Sequence, residues 1–350
     1  MTITKVFHVD PLNPNQKALE RCCEILRSGG IVAFPTETVY GLGALASNGE
    51  AVKKIFLAKG RPADNPLIVH IAKLGQLYEV AEGIPEDVLD AVKTLWPGPF
   101  TVLLRKGPCV AKEVTAGLLT VAVRMPAHPV ALKLIECAGP IAAPSANISG
   151  RPSPTTGFHV MVDMFGRVDA IIDAGETLYG VESTIIDVTA KPYKVLRPGA
   201  LPVEKLVEVL RQEIAVPEQA RGLQECEEAR APGMKYKHYS PETPIVLVES
   251  PNPTKVIESL VEKLERNSEK LALVVSRETA ESLKLAAAKL ITYGSRENLF
   301  EVAKNLFKVL RELDSIGANL AIIEGVEEKG LGLAVMNRLR KAAVKIIKLF

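Results

Sequence analysis

Ile31-Val32-Ala33-Phe34-Pro35-Thr36-Glu37-Thr38-Val39-Tyr40-Gly41-Leu42-Gly43 frames the reading of this chain. Ile31 to Phe34 predicts a short strand. It is entered from Gly29-Gly30, which ends a helix expected over Gln16 to Arg27. Leu19, Cys22, Cys23 and Leu26 give that helix its 3–4 spacing. The hydroxyls and glycines after the strand have two readings. They suit a turn with a threonine helix cap, or one wall of a ligand crevice at a strand's carboxyl end.

The same pattern repeats outward. Apolar runs predict strands at Pro66 to Ala72, Phe100 to Leu104, Val121 to Met125, Pro140 to Ala143, Ala170 to Ile172, Thr184 to Val188 and Lys194 to Leu196. Helices are expected at Glu50 to Lys59, Pro85 to Leu95, Pro129 to Cys137, Gly157 to Phe165 and Val203 to Gln212. So many strands for so few helices imply a twisted mixed sheet rather than a purely parallel one. The pattern breaks after Glu213, which places a large domain at residues 1–213 and a linker at 214–244. The linker's centre, Pro232 to Pro241, is too aromatic and basic for a passive spacer. From Ile245 to Phe350 strands and helices alternate regularly. That predicts a smaller, doubly wound, Rossmann-like parallel α/β domain at residues 245–350.

Composition sets the outer limits. The chain has 350 residues, 47% hydrophobic and 24% charged, and 43 basic against 41 acidic side chains leave a net charge of +2. Such a chain folds, and it carries no global field for nucleic acid or membrane, so a basic site must be local. Cys22, Cys23, Cys109, Cys137 and Cys226 are scattered without a C-x-x-C pair, which predicts neither a disulfide framework nor a cysteine-rich zinc site. No apolar run is long enough for a membrane span and the first ten residues lack signal-peptide form, so a cytoplasmic protein is expected. Phosphate-loop, dinucleotide, zinc-protease and serine-hydrolase signatures are all absent.

Polar groups instead gather at strand ends. Lys59-Gly60-Arg61 leaves a helix ahead of Asn65-Pro66, where two cations suit a polyphosphate or simply a helix C-terminal dipole. His70 stands in a strand, as core residue or ligand contact. Arg124 ends an apolar strand, where burial requires an anion: a substrate carboxylate or a structural Asp or Glu. Ala143-Pro144-Ser145-Ala146-Asn147-Ile148-Ser149-Gly150-Arg151-Pro152-Ser153-Pro154-Thr155 concentrates hydroxyl, amide and cationic groups in a loop, and Val181-Glu182-Ser183-Thr184 and Leu196-Arg197-Pro198-Gly199 add more. Lys59, Arg61, Arg124 and Arg197 have no protein nucleophile or general base beside them. That combination suits phosphoryl or nucleotidyl transfer, in which a substrate supplies the nucleophile and the protein positions and neutralises charge. The same four cations could instead hold the backbone of double-stranded RNA without catalysis.

The Pro35-to-Gly43 segment, Lys59-x-Arg61 and Ala143-to-Gly150, in this order and spacing, resemble the YrdC-type threonylcarbamoyl-AMP synthases. The Lys235-Tyr236-Lys237-His238-Tyr239-Ser240-Pro241 linker and the C-terminal domain look like the two-domain branch of that family. The resemblance implies an α/β chain with a YrdC-like catalytic domain. It also implies a nucleotidyltransferase reaction: L-threonine, bicarbonate (or carbon dioxide) and ATP give threonylcarbamoyl-adenylate and pyrophosphate. A partner transferase then modifies the tRNA. By resemblance, Thr38, His70, Arg124, Ser145 and Ser183 hold threonine. Lys59, Arg61, Asn65, Thr120, Asn147, Thr155 and Arg197 hold ATP, with Tyr236 as part of a lid. Lys59, Arg61, Ser145 and Asn147 lie where the chemistry occurs. Magnesium is expected to enter with ATP, held mainly by phosphates and water, with no protein metal site. Direct RNA contact is compatible with the resemblance and a membrane is not.

Overall fold

The computed structural model describes residues 2–225, 229–235, 238–265, 270–283 and 289–349. The first sheet holds β1 (Lys5–His8), β2 (Val32–Phe34), β3 (Gly41–Leu45), β4 (Ile68–His70), β5 (Ala81–Glu82), β6 (Phe100–Lys106), β7 (Thr120–Arg124), β8 (Ile141–Ala143), β9 (Ala170–Asp173), β10 (Thr184–Asp187) and β11 (Lys194–Arg197). Their order is β1-β9-β2-β3-β8-β4-β7-β6-β10-β11, with β5 on β6. β4 pairs parallel to β7 and β6 to β10, while β3 and β8 run antiparallel to their neighbours. The sheet is therefore mixed, as the strand-to-helix ratio implies.

Seven helices accompany it: α1 (Gln16–Arg27), α2 (Gly49–Lys59), α3 (Leu74–Val80), α4 (Glu86–Leu95), α5 (Pro129–Ala138), α6 (Gly157–Met164) and α7 (Val203–Leu210). The sheet is covered on both faces, and β2 shows why its sequence is an unbroken apolar run. Val32 and Phe34 enter the core under α1 and α5, whereas Ile31 and Ala33 enter the core under α2 and α4. Alternation sends successive side chains to opposite faces, so a strand buried on both sides has no polar positions.

Three expectations need correction. Gly41 to Gly43 is not turn: it begins β3, which pairs Phe34 with Gly41. Glycine is required there by packing, since a Cβ on Gly43 would lie 2.5 Å from Ile141 Cγ2 and 2.8 Å from the Phe34 ring. The edge strand β1 went unpredicted, because Lys5 and His8 are exposed and give no apolar run. Finally, Cys23 and Cys137 form a disulfide between α1 and α5, with Cα atoms 6.1 Å apart and 114 residues between them in sequence. The bridge arises because two remote helices pack side by side, which residue spacing does not reveal.

The second sheet is β12 (Ile245–Glu249), β13 (Leu271–Ser276), β14 (Lys289–Gly294), β15 (Leu320–Glu324) and β16 (Lys345–Lys348), in the all-parallel order β14-β13-β15-β12-β16. α8 (Glu218–Arg221) lies in the connecting segment. α9 (Pro253–Glu265), α10 (Arg277–Ser282), α11 (Leu299–Ser315) and α12 (Leu331–Ala342) belong to the second domain. Apolar spacing in the sequence predicts a helix near Thr279 to Lys289; the helix ends at Ser282, the stretch 284–288 falls outside the described residues, and Lys289 opens β14.

The two domains share a core. Val39, Val181 and Ala200 of the first pack with Phe307, Leu310, Val335 and Leu339 of α11 and α12, and linker Tyr239 joins them. Among the described residues three ion pairs cross the same boundary: Arg311 to Asp163 at 2.6 Å, Arg338 to Glu182 at 2.8 Å and Lys304 to Glu176 at 3.7 Å.

Candidate active site

The site is assembled at the carboxyl ends of β4 and β7. Parallel register sets His70 beside Arg124. The loop from Pro35 to Tyr40 leaves β2 and crosses above them. Thr36 shapes that loop: its hydroxyl accepts from Thr38 N at 3.1 Å and Val39 N at 3.3 Å, and donates to Val39 O at 2.7 Å. This hydroxyl-for-backbone substitution is a turn device. It presents the Thr38 hydroxyl to Arg124, whose Nη1 donates to it at 2.9 Å. Both readings of the segment thus hold together, a turn and a cavity wall.

Arg124 has its anion. Glu37 Oε1 lies 2.6 Å from Nη2, with both side chains buried. The contact is an ion pair without hydrogen-bond alignment, since neither Glu37 oxygen nor Arg124 Nη2 has a hydrogen-bond partner. Arg124 nevertheless borders the cavity. Burial, and then the Arg124 charge, push the His70 imidazole down to about 3. His70 is therefore a neutral group, and its Nδ1 lies 3.2 Å from Ile68 O.

Gly60 ends α2 in the left-handed conformation, φ 60°, so that the chain turns out of the helix between Lys59 and Arg61. Lys59 does not lie along the helix end. It is buried in the cavity wall and its Nζ donates to the carbonyls of Ser145 and Asn147. Burial first, and Arg61 second, hold this ammonium well below the usual lysine range. Arg61 braces the following turn through the Asn65 and Pro66 carbonyls, at 3.2 Å each from Nη2. Ser145 Oγ donates to Asn147 Oδ1, and Asn147 Nδ2 reaches the carbonyls of Ile148 and Arg151. On the far wall, Arg197 Nη2 donates to Ser183 O at 2.9 Å, and the Ser183 hydroxyl lies 2.7 Å from that of Thr101. A Cβ on Gly199 would lie 2.3 Å from Glu182 O, so only glycine lets the Arg197 and Glu182 segments approach this closely.

One cavity is thus bordered by Thr38, Lys59, Arg61, His70, Arg124, Ser145, Asn147, Ser183 and Arg197. Asn65, Thr120 and Thr155 do not border it. Asn65 and Thr155 are buried close behind its wall. Thr120 opens β7 at the opposite end from Arg124, roughly 13 Å along the strand at about 3.3 Å per residue. Tyr236 lies outside the described residues, but linker residues Pro232, Gly233, His238 and Tyr239 close the cavity. Tyr239 stacks on Phe307 with centroids 5.4 Å apart. His238 is buried against Arg61, and burial foremost drives its imidazole down to about 3.

Arg151, Ser153 and Glu182 also border the cavity; the sequence marks the polar stretches that hold them but singles out none of the three. Glu182 left one signal, an acid set between Val181 and Ser183 in an otherwise buried run. The cations are 2%, 9%, 3% and 5% exposed at Lys59, Arg61, Arg124 and Arg197. That overturns the reading in which the four hold RNA, because a duplex backbone needs an exposed basic face. Among the described residues no group of three His, Cys, Asp or Glu side chains could hold a metal, and the cavity's single carboxylate, Glu182, is engaged by Arg338. No described helix is long and apolar enough to cross a membrane.

Two family models cover the chain. One, described as telomere recombination and named for Sua5, YciO and YrdC, matches residues 24–199. The other, the C-terminal domain of threonylcarbamoyl-AMP synthase, matches residues 201–344. A threonylcarbamoyl-AMP synthase of Pyrococcus abyssi is 51% identical over 92% of this chain and 93% of its own length. One from Bacillus subtilis is 43% identical over 95% of both chains. The crystal structure of Pyrococcus abyssi Sua5 complexed with L-threonine matches with a TM-score of 0.93 and 48% identity, covering 99% of this chain and all of that one. The enclosed cationic cavity, the mixed sheet and the parallel C-terminal domain have the same explanation: the chain is an enzyme of the threonylcarbamoyl-AMP synthase family, in its two-domain Sua5 form.

Proposed function

We propose that this enzyme makes L-threonylcarbamoyl-adenylate from L-threonine, bicarbonate or carbon dioxide, and ATP, releasing pyrophosphate. A separate transferase would then pass the threonylcarbamoyl group to an adenosine of tRNA. The observation that carries this reading is a cavity rich in cations and hydroxyls, with neutral histidines and, among the described residues that border it, no nucleophile paired to a base. The threonine amine adds to carbon dioxide and loses a proton, giving a carbamate. A carbamate oxygen attacks the α-phosphorus, the bond to the β-phosphate oxygen breaks, and pyrophosphate leaves. The nucleophile is thus made from substrate, and the protein's work is orientation and charge neutralisation.

In this reading Arg124 and the Thr38 hydroxyl hold the threonine carboxylate, with Ser145, Ser183 and neutral His70 around the rest of threonine. Lys59, Arg61, Asn147 and Arg197 take the nucleotide, and Lys59 already donates to two carbonyls of the Ser145–Asn147 loop. Asn65 and Thr155 support the nucleotide side from behind the wall, and Tyr236 and Thr120 remain proposed nucleotide contacts. Magnesium would arrive with the phosphates. The linker residues that border the cavity would swing out for substrate entry and return to keep water from the adenylate.

The test is pyrophosphate release by the purified protein with ATP and magnesium, with and without threonine and bicarbonate, and mass detection of the adenylate. Release that requires both co-substrates is expected. Release indifferent to threonine, or none from folded protein, refutes the reading.

A further inference from the structure

Five cations border the cavity, Lys59, Arg61, Arg124, Arg151 and Arg197, and among the described lining residues one carboxylate, Glu182. A lone carboxylate is out of place in a site for a polyanion. It is also 5% exposed, where an unpaired charge is costly. Its compensation comes from the other domain. Glu182 Oε1 accepts from Ser153 Oγ at 2.6 Å, and Oε2 accepts from Arg338 Nε at 3.0 Å and Nη2 at 2.8 Å. Arg338 sits on α12, 156 residues further along the chain, and is wholly buried. Its Nη1 also donates to Pro198 O, so one guanidinium ties together the two segments that carry Ser183 and Arg197.

The helix is bolted in place. Asn337 Nδ2 donates to Ala220 O at 2.8 Å, Lys341 Nζ donates to the Gly233 carbonyl of the linker, and the Arg338 guanidinium lies 5.5 Å from the Tyr239 ring. Burial works to raise the Glu182 carboxyl, but Arg338, then Arg197, outweigh it and keep it ionised below its usual range.

We propose that Arg338 is a positioning residue for ATP: by docking on Glu182, the C-terminal domain neutralises the one negative charge in the catalytic wall, so that nucleotide affinity depends on domain docking. This rests on the reading that the cavity takes ATP. Arginine is needed rather than lysine, because its fork reaches a carboxylate and a carbonyl at once. Threonine presents a carboxylate to Arg124, in a different part of the wall, and responds less.

The experiment uses the full-length protein and the variants Arg338→Met, Glu182→Gln/Arg338→Met and Arg338→Lys. Pyrophosphate release is titrated separately in ATP and in threonine, and ATP binding is measured by calorimetry. Arg338→Met is expected to raise the ATP KM by about 30-fold or more, the lower end for orphaning a buried charge. The threonine KM should move less than about threefold. Glu182→Gln/Arg338→Met, which leaves no orphan charge, should recover most of the ATP affinity, and Arg338→Lys only part of it. Equal shifts for both substrates, or a double variant as weak as Arg338→Met, overturn the proposal. Should Arg338→Met fail to fold, the double variant decides: near-normal ATP affinity supports the proposal, and a raised KM in folded protein overturns it. Wild-type protein that binds no ATP refutes the nucleotide reading itself, a result distinct from either variant outcome.

Discussion

Arg124→Ala separates two roles that the structure gives one guanidinium. Arg124 pairs with buried Glu37 at 2.6 Å and donates to Thr38 at 2.9 Å. Deleting it leaves Glu37 uncompensated, which costs about 3–5 kcal/mol when a buried pair loses one partner. At about 2–4 °C per kcal/mol for a domain of this size, melting should fall by about 6–20 °C. If Arg124 also holds the threonine carboxylate, charge-assisted hydrogen bonds of about 1.5–3 kcal/mol are lost too, equivalent to about a 10- to 150-fold rise in threonine KM. The double variant Glu37→Gln/Arg124→Met removes the orphan charge but restores no cation. It should regain most of the lost melting temperature while keeping the raised threonine KM, with the ATP KM little changed in both. Pyrophosphate release titrated in each substrate, alongside thermal melts, reads all of these. A double variant that regains threonine affinity together with stability would show that Arg124 acts only through Glu37. An equal rise in both KM values would also refute the assignment.

Lys59 supplies a pH test. Its ammonium is held well below the usual range by burial and by Arg61, and a bound triphosphate would favour the charged form and raise it. ATP binding should therefore take up a proton and weaken as pH rises through the lowered value. Calorimetry in buffers of different ionisation enthalpy measures the uptake, and uptake that persists in Lys59→Met removes the explanation. His70 and His238, both driven to about 3, should stay neutral from pH 5 to 8, so proton NMR of their rings should show no titration there. The Cys23–Cys137 bridge spans 114 residues, for which loop-closure entropy gives about 4–5 kcal/mol. Reduction, or Cys23→Ser, should lower stability by several kcal/mol in denaturant titration, and no change would show that the bridge does not persist in solution.

Much of the site was legible because strand ends carry polar groups that a core cannot use. Arg124 and Arg197 end strands, Ser145 and Asn147 follow one, Ser183 precedes one and Lys59 ends a helix, and all reach one cavity. Thr120, proposed by the family resemblance alone, does not border that cavity. It begins its strand, and a strand's two ends face opposite rims of a sheet. The anion of Arg124 was left open between substrate and protein, because Glu37 is brought to it only by the turn that Thr36 builds.

By itself, the sequence determined the two α/β domains, the mixed first sheet, the parallel second one and the cluster of cations without a protein nucleophile. These follow from local periodicity and residue chemistry, which need no knowledge of remote neighbours. Only tertiary structure decided that β3 carries the glycines, that Cys23 meets Cys137, and that Arg338 closes on Glu182. Each joins residues whose contact depends on how whole helices and sheets pack, and a buried carboxylate states that it needs a partner without saying where in the chain that partner lies.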